Sequence, residues 1–271
     1  MVIVYATDGS PPSREAARVL AGLPLGPEDR IAALTVGSRQ DAPAVEAAAA
    51  AARADLAGTR ARVETLAREG YPDEEILAAC TELGAELLAV GATGASGPGR
   101  FALGSVAART VRHAPCSVLV ARAGHRAIRR MVVGFDGAPA SRAAAQALLR
   151  LPLPEEAEVL LAIVLPVVDP DLPRRDPVWV SPQADQEAAL RELGELKQAF
   201  AASGRGVDTR ILRGYPAMRL LECAEQADAD LLVVGAHGQS LAERFHRFLL
   251  GSVSEQVSRH AACSVLVVRE P

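Results

Sequence analysis

The chain has 271 residues, 49% of them hydrophobic but only 3% aromatic, and a formal net charge of -4. That length suits one large or two ordinary domains, with interiors built from Ala, Leu and Val as in helix-covered parallel sheets. The acidic balance and the lack of a basic run argue against a dedicated nucleic-acid surface. No apolar segment approaches the ~20 residues that span a bilayer. Met1 leads directly into a short strand-like run broken at Asp8-Gly9, unlike a secretion signal, so a cytoplasmic location is expected.

Apolar runs without polar alternation read as strands covered on both faces, near 2–7, 31–36, 61–66, 86–90 and 117–121. Helical patterns lie near 11–21, 42–58, 73–83 and 105–113. Strand and helix alternate throughout, the signature of βαβ units around a parallel sheet. Gly70 suits the turn from strand to helix, and Pro72 the first helical turn, where no amide donor is required. After the polar, glycine-containing stretch 123–127 the series starts again. Strands are expected near 131–135, 158–164, 207–212, 230–234 and 264–268, and helices near 139–150, 182–202, 216–227 and 252–260.

The second series is a copy of the first. Val2-Ile-Val-Tyr-Ala-Thr-Asp8-Gly9 answers to Met131-Val-Val-Gly-Phe-Asp136-Gly137, and Arg68-Glu-Gly-Tyr-Pro72 to Leu212-Arg-Gly-Tyr-Pro216. Glu86-Leu-Leu-Ala-Val-Gly-Ala-Thr-Gly94 answers to Asp230-Leu-Leu-Val-Val-Gly-Ala-His-Gly238. Arg100-Phe-Ala-Leu-Gly-Ser-Val106 and Cys116-Ser-Val-Leu-Val-Ala-Arg122 answer to Arg247-Phe-Leu-Leu-Gly-Ser-Val253 and Cys263-Ser-Val-Leu-Val-Val-Arg269. Blocks in the same order mark a duplication, with domains expected at 1–123 and 128–271. About seven connecting residues reach at most roughly 25 Å, so the domains should lie side by side. The copies differ most at 166–185, which holds Trp179 and reads as a variable loop or, alternatively, a lid. Cys80 matches Cys223 and Cys116 matches Cys263 without CxxC spacing. Two small buried thiols per copy are expected, against the alternatives of disulfides or a metal site.

The chemistry gathers after the fourth strand of each copy. Val90 is followed by Gly91-Ala-Thr93-Gly94, nine residues, and Gly104-Ser105-Val106 at a helix start. Glycines let backbone approach a ligand without a Cβ in the way. A helix N-terminus presents free amides and the positive end of a dipole, which together favour an anion. The Ser105 hydroxyl can donate to a phosphate oxygen or cap the helix. No Gly-x4-Gly-Lys-Ser/Thr run exists, and the single lysine, Lys197, sits in a helical pattern, so this is no P-loop NTPase. A Gly-x-Gly-x-x-Gly turn is also missing, which disfavours NAD or FAD. His113 and His260 close the last helix of each copy and suit its C-terminus better than catalysis. Arg100 and Arg247 could neutralise phosphate charge or simply lie at the surface.

Gly-x2-Gly-x9-Gly-Ser after a buried strand, with Asp8-Gly9 ending strand one, resembles the universal stress protein family, and the resemblance covers both halves. It implies two tandem Rossmann-like, doubly wound domains, each a five-stranded parallel sheet ordered 3-2-1-4-5 with its ligand at the strand carboxyl ends. It further implies that the last strands of the two copies pair, Val118 to Val120 against Val265 to Val267, leaving further homodimerisation open. The family's ATP-binding branch implies roles by position. Asp8, after Thr7, would lie at the ribose or metal. Val36 would hold adenine through its backbone. Val90, Gly91, Thr93, Gly94, Gly104, Ser105 and Val106 would line the triphosphate, with Mg²⁺ bound through the phosphates. In copy two the matching residues are Asp136, Val164, Val234, Gly235, His237, Gly238, Gly251, Ser252 and Val253, although twelve residues separate Gly238 from Gly251. The three extra fall within Gln239 to His246 and lengthen the outer arm of the loop.

The expected function is an ATP-binding stress or signalling protein whose nucleotide occupancy alters the surface shown to an unidentified protein partner. A slow ATPase or other nucleotide-using enzyme is the alternative, and a nucleotide-free structural pair the third. No candidate catalytic residue stands out, because neither cradle carries a His or Glu placed in both copies to activate water.

Overall fold

The computed structural model describes residues 1–94, 103–124, 128–154, 156–165, 183–236 and 251–269. In the first copy β1 (Val2–Ala6), β2 (Arg30–Gly37), β3 (Arg62–Glu69), β4 (Leu87–Gly91) and β5 (Ser117–Ala121) alternate with α1 (Pro11–Ala21), α2 (Ala42–Asp55), α3 (Pro72–Glu82) and α4 (Ser105–His113). The second copy repeats them as β6 (Arg130–Phe135), β7 (Glu158–Leu165), β8 (Val207–Arg213), β9 (Leu231–Gly235) and β10 (Ser264–Val268), with α5 (Pro139–Arg150), α6 (Gln183–Ala202), α7 (Pro216–Gln226) and α8 (Ser252–His260). Local sequence explains several starts. Pro72 and Pro216 occupy the first turns of α3 and α7, and the preceding Gly70 (φ 145°) and Gly214 (φ 129°) adopt backbone that side chains disfavour. Ser10 caps α1, its hydroxyl accepting from the Ser13 amide at 3.5 Å.

The strands form a single ten-stranded sheet in the order β3-β2-β1-β4-β5-β10-β9-β6-β7-β8. Each half has the expected 3-2-1-4-5 order. As the resemblance implied, the halves join through β5 and β10, an antiparallel pair in an otherwise parallel ladder, so the two five-stranded sheets are continuous. Val118 faces Val267, Leu119 faces Leu266 and Val120 faces Val265, so corresponding residues exchange across a local two-fold axis at the two leucines. Helices cover both faces. Ile3, Tyr5, Leu161 and Val233 pack against Leu20 of α1, Ala52 of α2, Leu148 of α5 and Phe200 of α6. Val4, Leu88, Val132 and Val265 pack against Ala79 of α3, Val111 of α4, Leu220 of α7 and Val257 of α8. Each of these two cores runs through both copies.

Two elements differ in extent from the sequence pattern. Strand β3 continues to Glu69 instead of ending near 66, because every residue to Glu69 has a partner on β2. Helix α2 stops at Asp55 rather than 58, where the amide of Leu56 closes the last turn on Ala52. All four cysteines are buried free thiols.

Gly91 and Gly235 fix how closely a helix crosses the sheet. A Cβ on Gly91 would stand 2.5 Å from the Pro12 carbonyl oxygen, and one on Gly235 would stand 2.6 Å from that of Ala140. Helices α1 and α5 thus lie with backbone against the ends of β4 and β9. Gly91→Ala and Gly235→Ala should each destabilise the protein by about 1–3 kcal/mol, the usual cost of overpacking. Gly58→Ala, where the added methyl meets nothing within 4 Å, should be neutral. Thermal unfolding of the three variants checks this, and equal melting temperatures would refute the packing role.

Candidate functional site

The strand carboxyl ends of each half form a crest at which the sequence-predicted residues converge. Ala6 is level with Leu34 on one side and Val90 on the other, so Thr7-Asp8, Thr35-Val36 and Gly91-Ala92 leave the sheet together. Strand β1 is also where connections reverse direction, since β2 and β4 flank it on opposite sides. Such switch points leave a crevice.

Thr7 is buried and holds the crest together. Its amide donates to the Leu34 carbonyl at 2.9 Å, its hydroxyl accepts from the Gly9 amide at 3.0 Å, and it shares a 2.9 Å hydrogen bond with the Ser13 hydroxyl. Asp8 is exposed, and its Oδ1 accepts from the Ser10 amide (3.0 Å) and hydroxyl (2.5 Å). Gly94 lies against the other oxygen, where a Cβ would stand 2.9 Å from Asp8 Oδ2. Val36 is half-buried and Val90 buried. The Thr35 hydroxyl, beside Val36, is buried without a hydrogen-bond partner among the described residues.

The loop after β4 is closed at its neck. The Ala92 amide donates to the Ala121 carbonyl at 2.9 Å, and the Gly104 amide donates back to the Ala92 carbonyl at 2.8 Å. Gly104 holds the capping position of α4 with ordinary dihedrals (φ -66°, ψ 159°) and no side chain to satisfy the first-turn amides. Ser105 is the first helical residue and is exposed, so of the two roles open to it, the cap falls to Gly104 instead. The first turn of α4 carries no acid, and its last turn carries Arg112 and His113. Its positive dipole end therefore faces the loop with no acid of its own first turn to offset it. Thr93 and Val106 are half-buried beside it.

The glycines thus divide by cause. Gly91 is required by packing against α1, and its missing side chain faces that helix rather than the crest. Gly104 is required neither by its dihedrals nor by its neighbours, since a Cβ there would come no closer than 3.4 Å to Thr93 Cα. Among the described residues such a Cβ would make ordinary van der Waals contact with the backbone of Ala92, Thr93 and Gly94.

The second crest repeats this plan with changes. Asp136 is exposed, its Oδ1 accepting from the Ala138 amide at 2.9 Å while its amide donates to Ser141 Oγ at 3.3 Å. Val164 is half-buried on β7, and Val234 is buried beside Gly235 on β9. The Gly251 amide donates to the Ala236 carbonyl at 2.8 Å, and Gly251 opens α8 at φ -67°, ψ 152° without a side-chain cap. Ser252 is exposed and Val253 half-buried. Ala138 replaces Ser10, and Ser254 replaces Ala107, donating to the Ala236 and Gly251 carbonyls at 3.0 and 2.9 Å. Glu255 enters the first turn of α8 and pairs with Arg112 of α4 at 2.7 Å. His237 and Gly238 lie outside the described residues, as do Arg100, Arg247, Trp179 and the three-residue insertion. Sequence reasoning missed Ser13 and Ser141, which brace the two crests. Their equal spacing, five residues after Asp8 and Asp136, was the available signal.

A duplicated doubly wound sheet, with a helix that has no side-chain cap opening beside each switch point, defines a tandem α/β protein of Rossmann-like type. The chain belongs to the universal stress protein family, whose model matches residues 1–122 and again 127–269. It is 33% identical over 154 residues to a universal stress protein of Methanocaldococcus jannaschii, covering 56% of this chain and 88% of that one. A putative universal stress protein of Staphylococcus epidermidis is 43% identical over 77 residues, 28% of this chain and 45% of that protein. The crystal structure of a universal stress protein from Archaeoglobus fulgidus shares the fold along the whole chain, with a TM-score of 0.68, 20% identity, and 100% and 98% of the two chains covered.

One buried group beneath the first crest carries a pH signature. The Tyr5 hydroxyl donates to the Ser13 carbonyl at 3.2 Å, and burial pushes its pKa up from 10 to about 12. A pKa raised on folding gives stability that is complete below pH 10 and lost as pH climbs through about 12, at most about 2–3 kcal/mol. Tyr5→Phe should remove that part of the alkaline decline. Guanidinium unfolding at pH 9 and pH 11.5 tests this, and identical losses in parent and variant would count against it.

Proposed function

We propose that the protein binds ATP at its two crests, with Mg²⁺ carried by the phosphates, and that nucleotide occupancy alters the surface offered to a protein partner in a stress or signalling response. The observation that carries this reading is the start of α4, which has no side-chain cap and no acid in its first turn, beside the glycine loop at Gly94. Phosphates would lie on the amides of Ser105 and Val106, with the Ser105 hydroxyl donating. The ribose would lie near Asp8, and the adenine near the backbone of Val36, where the unpartnered Thr35 hydroxyl adds a polar group. The likeness of Gly-x2-Gly-x9-Gly-Ser to the family's ATP-binding branch supports the same assignment. Gly251, Ser252, Val253, Asp136 and Val164 would serve the second crest, with Gly235, His237 and Gly238 completing its loop.

Binder is preferred over enzyme on the chemistry of the residues. Rapid phosphoryl transfer needs a positioned nucleophile as well as charge neutralisation. Asp8 and Asp136 are each engaged in holding a turn, and the sequence places no His or Glu at matching loop positions of both copies.

Calorimetry with Mg²⁺ should show ATP binding in preference to NAD or FAD, with two equivalents per chain. Gly104→Val should remove one equivalent and Gly251→Val the other, both variants still unfolding cooperatively. Tighter binding of a dinucleotide would sink the proposal, and an unchanged stoichiometry in Gly251→Val would show the second crest to be incompetent. Phosphate release should stay well below the ~10 s⁻¹ median of dedicated enzymes. Fast release abolished by Asp8→Ala/Asp136→Ala would instead make the aspartates catalytic.

A further inference from the structure

The last helix of each domain is gripped at its C-terminus by an arginine of the other domain. Arg122, just beyond β5, sends Nη2 to the carbonyls of Ser258 (2.6 Å) and Arg259 (3.3 Å) at the end of α8. Arg269, just beyond β10, sends Nη2 to the carbonyls of Val111 (2.9 Å) and Arg112 (2.8 Å) at the end of α4. The backbone anchors cross in the same way. The Arg122 amide donates to Ser264 Oγ at 3.1 Å and the Arg269 amide donates to Ser117 Oγ at 3.2 Å. All six hydrogen bonds obey the two-fold relation of the seam.

We propose that Arg122 and Arg269 are positioning residues, each setting the place of the crest helix in the opposite domain, which makes each candidate nucleotide site depend on the other half of the chain. This rests on the nucleotide reading of the crests. The physical basis begins with burial. Arg122 is only 4% exposed, and its Nε and Nη1 have no partner among the described residues, as is true of Arg269 Nε. A buried guanidinium short of partners depends heavily on the contacts it does make. Those contacts are the carbonyls of a helix C-terminus, which carry about half a negative charge. Displacing the helix would strand the charge, so the helix end is held at a defined place.

The other end of the same helix is the crest. A nine-residue helix is about 13 Å long and moves as a rod, so its grip at the rear fixes its open amides at the front. Ahead, α4 is tied by the Gly104–Ala92 hydrogen bond. At its side, Arg112 pairs with Glu255 of α8, so the two crest helices also touch each other. Removing Arg269 releases the rear of α4 and leaves that of α8 held by Arg122.

The test is crossed by design. Arg269→Leu should accelerate amide exchange in residues 105–113 of the nucleotide-free protein about tenfold, with residues 252–260 unchanged; Arg122→Leu should do the reverse. Calorimetry should then show Arg269→Leu weakening ATP at the first crest about tenfold, read in the Gly251→Val background, and Arg122→Leu weakening the second, read in Gly104→Val. Arg269→Lys and Arg122→Lys, which retain a cation and a donor, should restore most of the protection and cover the case in which the leucine variants fold poorly. Equal acceleration in both helices, or none, would overturn the proposal, since a merely structural role predicts no domain-crossed pattern. Crossed exchange in a parent that binds no ATP would uphold the positioning and refute the nucleotide reading alone.

Discussion

Strands β5 and β10 could not serve as outer edges, and the rest of the architecture follows from their pairing. Both are short, almost fully buried Ser-Val-Leu-Val runs. Exposed, either would present unpaired amides and carbonyls along an apolar strip, which invites aggregation. Antiparallel pairing about Leu119 and Leu266 satisfies both edges at once. The strands left outermost are β3 and β8, which contain only exposed and half-buried residues and carry Arg62, Glu64, Arg68, Asp208 and Arg213. Charge on an edge is a protection, and here it lies where the sheet ends.

The same pairing carries consequences to the far end of the domains. With β5 fixed at the centre of the sheet, α4 lies beside α8 and both point their N-termini at the strand carboxyl ends. Across β1 and β4, the close approach of α1 over Gly91 sets the turn at Asp8. Gly9 makes that turn at φ 75°, with its amide held by Thr7, and the Asp8 carboxylate comes to rest against Gly94. The crest is therefore assembled by packing from below. Its polar groups need no mutual attraction to converge.

Much of this was legible in the chain. Apolar runs separated by helical patterns marked the central strands, because a sheet covered on both faces leaves little polar alternation there, while the edge strands β3 and β8 are interrupted by charged residues. The repeated blocks gave the duplication, and the strand order followed from the family resemblance. What stayed hidden depends on contacts between distant residues. Glu69 belongs to β3 because Gly37 lies beside it on another strand, and no local pattern in Arg68-Glu69-Gly70 announces that. Gly91 reads as a ligand-loop glycine in sequence, yet its freedom is consumed by the backbone of α1. Arg122 and Arg269 look like ordinary arginines after a strand, and only the two-fold seam shows that each reaches into the other domain.

Comparing the copies within one chain separates two kinds of constraint. At the seam every residue meets its own counterpart's neighbourhood, so a change on one side alters both halves of a symmetric contact. Ser117 and Ser264, Leu119 and Leu266, and Arg122 and Arg269 are identical there. At the crest each residue serves a single loop, and the copies have diverged: Ser10 to Ala138, Ala107 to Ser254, Ala108 to Glu255. The exchanges are not equivalent in effect. Ser254 spends its hydroxyl on two carbonyls of its own turn, which stiffens the start of α8 without covering its amides. Glu255 places negative charge in that first turn, where it pairs with Arg112 of the first domain at 2.7 Å and with Arg259 of its own helix at 3.6 Å. The start of α8 thus carries an acid held by one arginine from each domain, an arrangement the first copy lacks because Ala108 stands at the matching position. Diverged in this way, the start of α8 is no longer a copy of the start of α4, whose first turn carries no acid of its own.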